Sequence, residues 1–241
     1  MLTSILASEV DIRKAIEEID PDAVDELSPL VTPFVIADTE DEAVDEATIA
    51  IGQSKFCGKP DLPNGFAWPM TEDGPCHFVG QLDLQEVAKF KIIYDIPKEG
   101  ILSFFFHDRG CTPVGTQSAV YYFPDKAVLR RTEVVIDTRW DNYHEEHLFA
   151  RNLLLRQGYG IGCEEDISSS STDDSASIFN ENYGLETHRF FNVPMYDFHR
   201  PTSDIILASF GEWSDRLVFS ISEDDLTEWK FDSLEVDFHC T

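Results

Sequence analysis

The chain has 241 residues, 42% of them hydrophobic, with 46 acidic and 18 basic side chains and a formal net charge of −28. This apolar content excludes a wholly disordered polymer, because its burial offsets the entropy lost on ordering. The excess of acids disfavours nucleic acids and anionic membranes, since both are bound through Lys and Arg. The large negative net charge instead favours a basic protein as the binding partner.

Targeting signals and cysteines indicate where the protein resides. No apolar run approaches the roughly 18 to 20 residues that cross a bilayer. Glu9, Asp11 and Arg13 interrupt the first segment where a secretory signal requires an apolar stretch. Five widely spaced cysteines without a Cys-x-x-Cys pair favour reduced thiols over disulfides or a zinc site. We therefore expect a soluble, cytoplasmic, monomeric protein without a metal or another cofactor.

The first predicted element is an amphipathic helix that follows Ser8. Its apolar residues recur at helical spacing and are Ile12, Ala15, Ile16 and Ile19. A second short helix is predicted from Pro21 to Leu27, with proline at its tolerated first position. Residues 1–30 are thus expected to form an N-terminal helical segment packed on a main domain over 31–241. That domain begins with a predicted strand, Val31–Ala37, and an acidic solvated loop, Asp38–Glu46.

From residue 50 onward, short runs of aromatic and branched residues alternate with Pro and Gly, which is typical of strands. The predicted strands are His77–Leu82, Ile101–His107, Ala119–Phe123, Glu133–Asp137, Ile205–Ser209, Arg216–Ile221 and Leu234–His239. Helices are predicted at His144–Gln157 and, after Ser222, at Glu223–Glu228. Six serines and five acids predict an acidic Ser-rich loop over 164–177. The segments that start at Phe78 and Ile205 each contain a short apolar strand, a connection and a second strand in the same order. Two similar β subdomains are therefore one interpretation, and a single compact unit is the other.

The segment Gly52–Pro69, GQSKFCGKPDLPNGFAWP, combines Gly and Pro, which fix the backbone direction, with bulky aromatic residues. It predicts a rigid, aromatic-lined turn. In the structural interpretation this turn closes one end of a β roll. In the functional interpretation it forms a small recognition cleft with a cationic lysine and a hydrogen-bonding glutamine. The candidate ligand- or partner-binding residues are Lys55, Lys59, Trp68 and Gln81.

Catalytic and cofactor motifs are absent or weak. The chain has no phosphate loop, nucleophile elbow, His-Glu-x-x-His or EF-hand spacing, so no catalytic residue is predicted. His144 and His147 lie three residues apart and could meet a metal, but without a third ligand a solvated acidic turn is favoured.

The order of these motifs resembles the YwqG-like family, a domain of unknown function. The first matching positions are Gly52, Ser54, Lys55, Phe56, Gly58, Pro60, Leu62, Pro63, Trp68 and Pro69. Further matches are Gln81, Asp83, Ile96, Pro97, Gly100, Leu102, Phe104 and Phe105, followed by RLVFSISEDDL and the His-Cys before the last residue. The resemblance runs in order through most of 31–241 and implies a β roll.

Three positions depart from the family pattern. Cys57 stands where the pattern has a glycine, which leaves open whether this position requires a positive φ. Asn192 and Val193 replace a Gly-Tyr pair, and Ser209 replaces a second glutamine.

We therefore predict an α+β, mainly β fold: antiparallel sheets in a roll-like, YwqG-like arrangement with an N-terminal helix. The expected function is that of a non-catalytic binding or regulatory protein whose acidic surface recognises another protein. An immunity-like protein that neutralises a basic toxin would be one instance. The alternative is a small-ligand-binding protein or an enzyme of unknown reaction, with a cleft near Trp68, Lys59 and Gln81.

Overall fold

The computed structural model describes residues 9–39, 43–107, 117–136, 148–161, 174–179, 188–192, 205–212 and 215–239. The strands are β1 (Val31–Thr39), β2 (Lys55–Phe56), β3 (Asp61–Pro63), β4 (His77–Asp83), β5 (Ile101–His107), β6 (Gln117–Phe123), β7 (Leu129–Arg131), β8 (Arg151–Ile161), β9 (His188–Asn192), β10 (Ile205–Glu212), β11 (Asp215–Ile221) and β12 (Glu235–His239). The α-helices are α1 (Glu9–Ile19), α2 (Val24–Leu27), α3 (Leu84–Val87), α4 (174–179) and α5 (Glu223–Thr227).

The chain is α+β and mainly β, as predicted. Ten strands form one antiparallel sheet in the order β12-β11-β10-β9-β1-β8-β2-β4-β5-β6, and β3 pairs with β7 in a separate two-stranded ribbon. The predicted strands at β1, β4, β5, β6, β10, β11 and β12 are confirmed within a few residues. Among the described residues, no helix is both long and apolar enough to cross a membrane.

The sheet rolls over on itself around an aromatic core. Phe104 of β5 meets Phe210 of β10 at a ring-centroid distance of 5.2 Å and Phe219 of β11 at 5.3 Å. Five strands separate β5 from β10 in the sheet order. Only a rolled sheet brings such distant strands into contact, so these ring contacts confirm the predicted roll. We call the cluster that contains Phe104 the inner core.

The N-terminal helices pack against one end of β8. Ile16 of α1 and Leu27 of α2 are fully buried and lie in one apolar cluster with Tyr159 and Ile161. The amphipathic spacing of α1 therefore predicted the buried face of this helix correctly.

The predicted helix His144–Gln157 is wrong over the described residues 151–157, which belong to β8. Leu153 and Leu155 pack on the inner core, whereas Leu154 between them is 52% exposed. This alternation is the period of a strand, and pairing with β1 on one side and β2 on the other stabilises it. His144 and His147 lie outside the described residues.

The structure differs from the prediction at two further segments. The predicted strand Glu133–Asp137 is wrong over 133–136, because strand pairing ends at Arg131 in β7. Residue 137 lies outside the described part of the chain. Of the predicted Ser-rich loop over 164–177, the described residues 174–177 form the start of α4 instead. Ala176 and Phe179 of α4 are fully buried against the N-terminal helices.

The ten-stranded sheet divides into two halves of five strands, which meet where β1 pairs with β8. Each half contains a short strand with a non-glycine residue of positive φ near its C-terminal end. Cys57 follows β2 at φ 57°, and Phe191 of β9 has φ 56°. The duplication suggested by the order of segments stays a prediction, and this correspondence is one feature that it would explain.

Candidate functional site

The segment Gly52–Pro69, which we call the signature segment, covers the face of β4 and β5 that points away from the inner core. Leu62 of β3 and Leu129 of β7 are buried there against Phe78, Ile101 and Phe105. The ribbon formed by β3 and β7 is thus a lid on the sheet, and polar side chains at its margin are enclosed between the two layers.

Two consecutive left-handed residues direct the chain from the sheet into this ribbon. Cys57 has φ 57° and Gly58 has φ 70°. The position that the sequence left open therefore does adopt a positive φ, although it carries a cysteine. Cysteine at such a position raises the free energy of the folded backbone by an amount of the order of 1 kcal/mol relative to glycine.

Asp61 is the centre of a buried ionic network. Its side chain is fully buried, and Arg131 donates Nε to Asp61 Oδ1 at 2.6 Å. Gln81 Nε2 and the Gly52 backbone N–H donate to Asp61 Oδ2 at 2.7 and 2.9 Å. The Asp61 N–H in turn donates to Gln81 Oε1 at 3.0 Å. The carboxylate therefore accepts three hydrogen bonds, and the one from Arg131 is also an ion pair.

Gln81 and Arg131 extend the network to the backbone of the preceding segment. Gln81 Nε2 also donates to the Gln53 carbonyl at 2.8 Å. Arg131 donates Nη1 to the Glu46 carbonyl at 2.7 Å and Nη2 to the Ile49 carbonyl at 3.0 Å. The polar groups of both side chains therefore make hydrogen bonds within the protein, and these bonds connect segments that are far apart in sequence.

Lys55 is buried beside this network. Its side chain has no solvent exposure, and its Nζ lies 3.7 Å from Glu46 Oε1 and donates to the Lys59 carbonyl. Burial lowers the pKa of Lys55 to about 8, and the carboxylate of Asp61 partly opposes this shift. The ammonium is thus close to losing its proton at neutral to mildly alkaline pH.

The depressed pKa of Lys55 predicts a specific pH dependence of stability. Between about pH 8 and the ordinary lysine value of 10.5, the unfolded chain binds a proton that the folded chain lacks. The free energy of unfolding therefore rises with pH in this window. Relative to Lys55→Met, the wild type is expected to gain about 2–3 kcal/mol between pH 7 and pH 10. Urea unfolding of both proteins across this range measures the difference, and parallel curves would contradict the assignment.

The structure places the other two candidate residues outside the buried network. Lys59 is partly exposed, and its Nζ lies 2.7 Å from Glu133 Oε1. Trp68 is half-buried in the apolar cluster under the ribbon. Its Nε1 donates to the Cys76 carbonyl at 2.8 Å, and its ring meets Phe105 edge-on at 5.4 Å. The four candidates thus divide between a buried network, a surface ion pair and an aromatic cluster.

A shallow groove of about 750 Å³ runs beside the network. The charged residues that line it are Asp45, Glu46, Lys59 and Arg131. Glu46 Oε1 accepts the Lys59 N–H at 2.5 Å, and Asp45 Oδ1 accepts the Ala47 N–H at 3.0 Å. Because the Arg131 donors and the Lys59 ammonium are also paired, the charged lining of the groove is satisfied within the protein.

The buried thiols and the buried imidazole in this region are uncharged at neutral pH. Burial raises the pKa of Cys57 to about 12 and that of Cys76 to about 11, so both remain thiols at neutral pH. Burial lowers the pKa of His188 to about 3, which keeps its ring neutral between Phe56 and Phe210. In the described part of the chain, no three His, Cys, Asp or Glu side chains are grouped to hold a metal ion.

Glycine at position 58 has a steric as well as a conformational role. A Cβ on Gly58 would lie 2.3 Å from Glu46 Oε1 and 2.7 Å from the Ala150 Cβ. Gly65 also has a positive φ, but a Cβ there meets nothing within 4 Å. Gly58→Ala is therefore expected to lower the free energy of unfolding by about 3 kcal/mol or more, and Gly65→Ala by about 1 kcal/mol. Urea unfolding tests this, and equal losses would show that the packing around Gly58 is unimportant.

Sequence reasoning missed Asp61, Arg131 and Glu46. Asp61 follows Pro60 at the start of a three-residue strand, and its buried position depends on pairing between β3 and β7. No local pattern reveals that pairing, because Arg131 lies 70 residues further along the chain.

Comparison with known families matches residues 54–240 to the family described as Domain of unknown function (DUF1963). The matched range includes Lys55, Asp61, Gln81 and Arg131 but not α1, α2 or β1. No curated protein matches the chain at a significant level.

Proposed function

The chain belongs to the DUF1963 family, and from its own residues we propose that it is a non-catalytic binding protein whose acidic surface recognises a basic protein. The observation that carries this proposal is an exposed concentration of carboxylates near the end of the chain. Residues 222–237 contain seven acids and one base. The exposed acids, which we call the C-terminal acidic surface, are Glu223, Asp224, Glu228, Asp232 and Glu235.

The C-terminal acidic surface stands on an ordered scaffold. Ser222 caps α5 by accepting the Asp225 N–H at 3.1 Å. The turn after α5 folds back on it, since Lys230 N–H donates to the Asp225 carbonyl at 2.8 Å and Ser233 Oγ to the Asp225 carboxylate at 2.9 Å. Leu226 anchors the helix in the inner core. The carboxylates are thus presented at defined positions, which is what selective recognition of a basic surface requires.

The buried network supports a binding rather than a catalytic role. Gln81 and Arg131 make hydrogen bonds within the protein, and Lys55 is enclosed. Long-range attraction from the net charge of −28 would accelerate encounter with a basic partner and weaken as salt is added. An immunity-like role, in which the partner is a basic toxin, is one instance of this proposal.

Three related proposals accompany this function. Kinship with YwqG-like proteins is the finer form of the family assignment, and it rests on the signature segment. A cytoplasmic location is supported by the buried free thiols Cys57 and Cys76. A monomeric state is supported by the large net charge, which opposes self-association.

The proposed function is tested with a decalysine peptide as the basic probe, titrated calorimetrically at low salt. Reversing three charges on the C-terminal acidic surface, Glu223→Lys, Glu228→Lys and Asp232→Lys, is expected to weaken binding about tenfold or more. The matched control reverses three exposed acids of the N-terminal segment, Glu17→Lys and Glu18→Lys in α1 and Asp22→Lys in the turn before α2, and should change affinity less than about threefold. Equal losses in both variants, or no binding by the wild type, would overturn the proposal.

A further inference from the structure

The two edges of the rolled sheet differ in how they are protected. β12 carries Glu235 and Asp237, charges of the kind that discourage pairing with another chain. β6 is a seven-residue strand, QSAVYYF, without a charge or a proline. Among the described strands β6 pairs with β5 only, so one edge of its backbone is left without a ladder partner. Such an edge is a template for an incoming strand.

The two edges lie side by side but do not pair. β12 packs near β6, and the ring of Tyr122 meets Trp229 edge-on at 5.6 Å. No ladder joins β6 to β12, although both strands are fully inside the described ranges. In the described part of the chain the roll is therefore not closed by a backbone ladder between β6 and β12, and we call this boundary the seam.

The chemistry on the two sides of the seam is complementary to a basic extended peptide. On one side, alternate N–H and C=O groups of β6 point away from β5 and can form a ladder. On the other side lie two members of the C-terminal acidic surface: Glu235 in β12, which packs near β6, and Glu228, which precedes Trp229, the ring that contacts Tyr122.

A second copy of the chain fits the seam less well. It would bring another net charge of −28 to an edge already flanked by carboxylates. A basic segment instead gains attraction from the same carboxylates. Backbone pairing alone is indifferent to charge, so the acids beside the seam decide which occupant is favoured.

We propose that β6 is the docking edge for an extended, basic segment of the partner protein, which adds to the sheet as a further strand at the seam. This inference rests on the proposed function and names the surface and binding mode through which it operates. Affinity comes from main-chain hydrogen bonds to β6, and selection for basic side chains comes from the C-terminal acidic surface.

The test uses the full-length protein and a synthetic nine-residue peptide of alternating Lys and Val as the probe. Hydrogen exchange of the backbone amides is followed with and without the peptide at low salt. The proposal expects exchange in Gln117–Phe123 to slow by tenfold or more at saturation, because amides on the open edge become hydrogen-bonded. A control peptide in which two valines are replaced by prolines keeps the charge but cannot form the ladder, and it should give no such protection.

Two variants at one position separate edge binding from loss of fold. Ser118 of β6 is half-buried, and Ser118→Lys places a positive charge beside the incoming basic strand. Ser118→Glu makes a change of similar size with the opposite sign. The lysine variant is expected to bind the Lys–Val peptide about tenfold more weakly than the wild type, and the glutamate variant at least as tightly. Trp229 fluorescence, assigned with Trp229→Phe, is an independent report from the seam.

The outcomes distinguish this inference from the proposed function. If decalysine binds the C-terminal acidic surface but the Lys–Val peptide leaves Gln117–Phe123 unprotected, the docking edge is wrong and the proposed function stands. Equal protection by the proline peptide, or protection of β6 by self-association without peptide, also overturns the docking edge. If neither basic probe binds, both proposals fall.

Discussion

Asp61→Asn is expected to lower the free energy of unfolding by about 3–5 kcal/mol. The substitution removes the counter-charge of Arg131, whose side chain is only 18% exposed, while Asp61 itself is fully buried. It also turns an amide N–H₂ toward a position where the carboxylate accepts donors from Gln81 and Gly52. Urea unfolding monitored by circular dichroism provides the measurement.

Asp25→Asn is the matched control for this prediction. Asp25 and Arg13 form an ion pair of the same length, 2.6 Å, but the Asp25 side chain is 93% exposed. Solvent screening makes such a pair worth less than about 1 kcal/mol. If both substitutions cost less than about 1 kcal/mol, Asp61 does not organise the signature segment.

Removal of β1 is expected to abolish the fold, although the family match begins only at residue 54. β1 joins the two halves of the sheet, because it pairs with β8 from Val31 to Thr39 and with β9 from Val35 to Ala37. A chain of residues 43–241 would leave both partners without their central strand. Circular dichroism and thermal melting should show no cooperative transition.

A chain of residues 31–241 provides the comparison. It keeps β1 but lacks α1 and α2, so Tyr159 and Ile161 lose the cover of Ile16 and Leu27. We expect a folded protein that is several kcal/mol less stable than the full chain. A cooperative melt of residues 43–241 similar to that of residues 31–241 would show that β1 is dispensable.

Strands were predictable where the local pattern and the tertiary environment agree. Ile101–His107 was predicted to the residue, since its aromatic run suits a strand buried on both faces. In β8 the three consecutive leucines from Leu153 to Leu155 suit a helix as well as a strand. Pairing with β1 and β2 decides between the two, and a pairing between distant segments leaves no local pattern.

The candidate site was predictable in part for the same reason. Lys55 and Gln81 lie in the signature pattern, and the structure places them opposite each other in neighbouring strands. Their ionic partners Asp61 and Arg131 were not predictable, because the contact depends on the register of the two-stranded ribbon. The sequence therefore predicted which segment contains the candidate site but not which charged side chains stabilise it.

The structure shows a correspondence between the two halves of the sheet. Lys55 and the residues after it have the order basic, Phe, positive-φ residue, and Arg189 and the residues after it repeat this order. Lys55 lies opposite Gln81, and Arg189 lies opposite Ser209. Ser209 therefore occupies the position in its half of the sheet that corresponds to Gln81.

The central expectation is that the buried charges of Asp61 and Arg131 stabilise each other. A double-mutant cycle with Asp61→Asn and Arg131→Met, measured by urea unfolding, tests this claim most directly. We expect an interaction energy of about 2 kcal/mol or more, because either substitution alone leaves the other group buried and unpaired. An interaction energy near zero would contradict the claim.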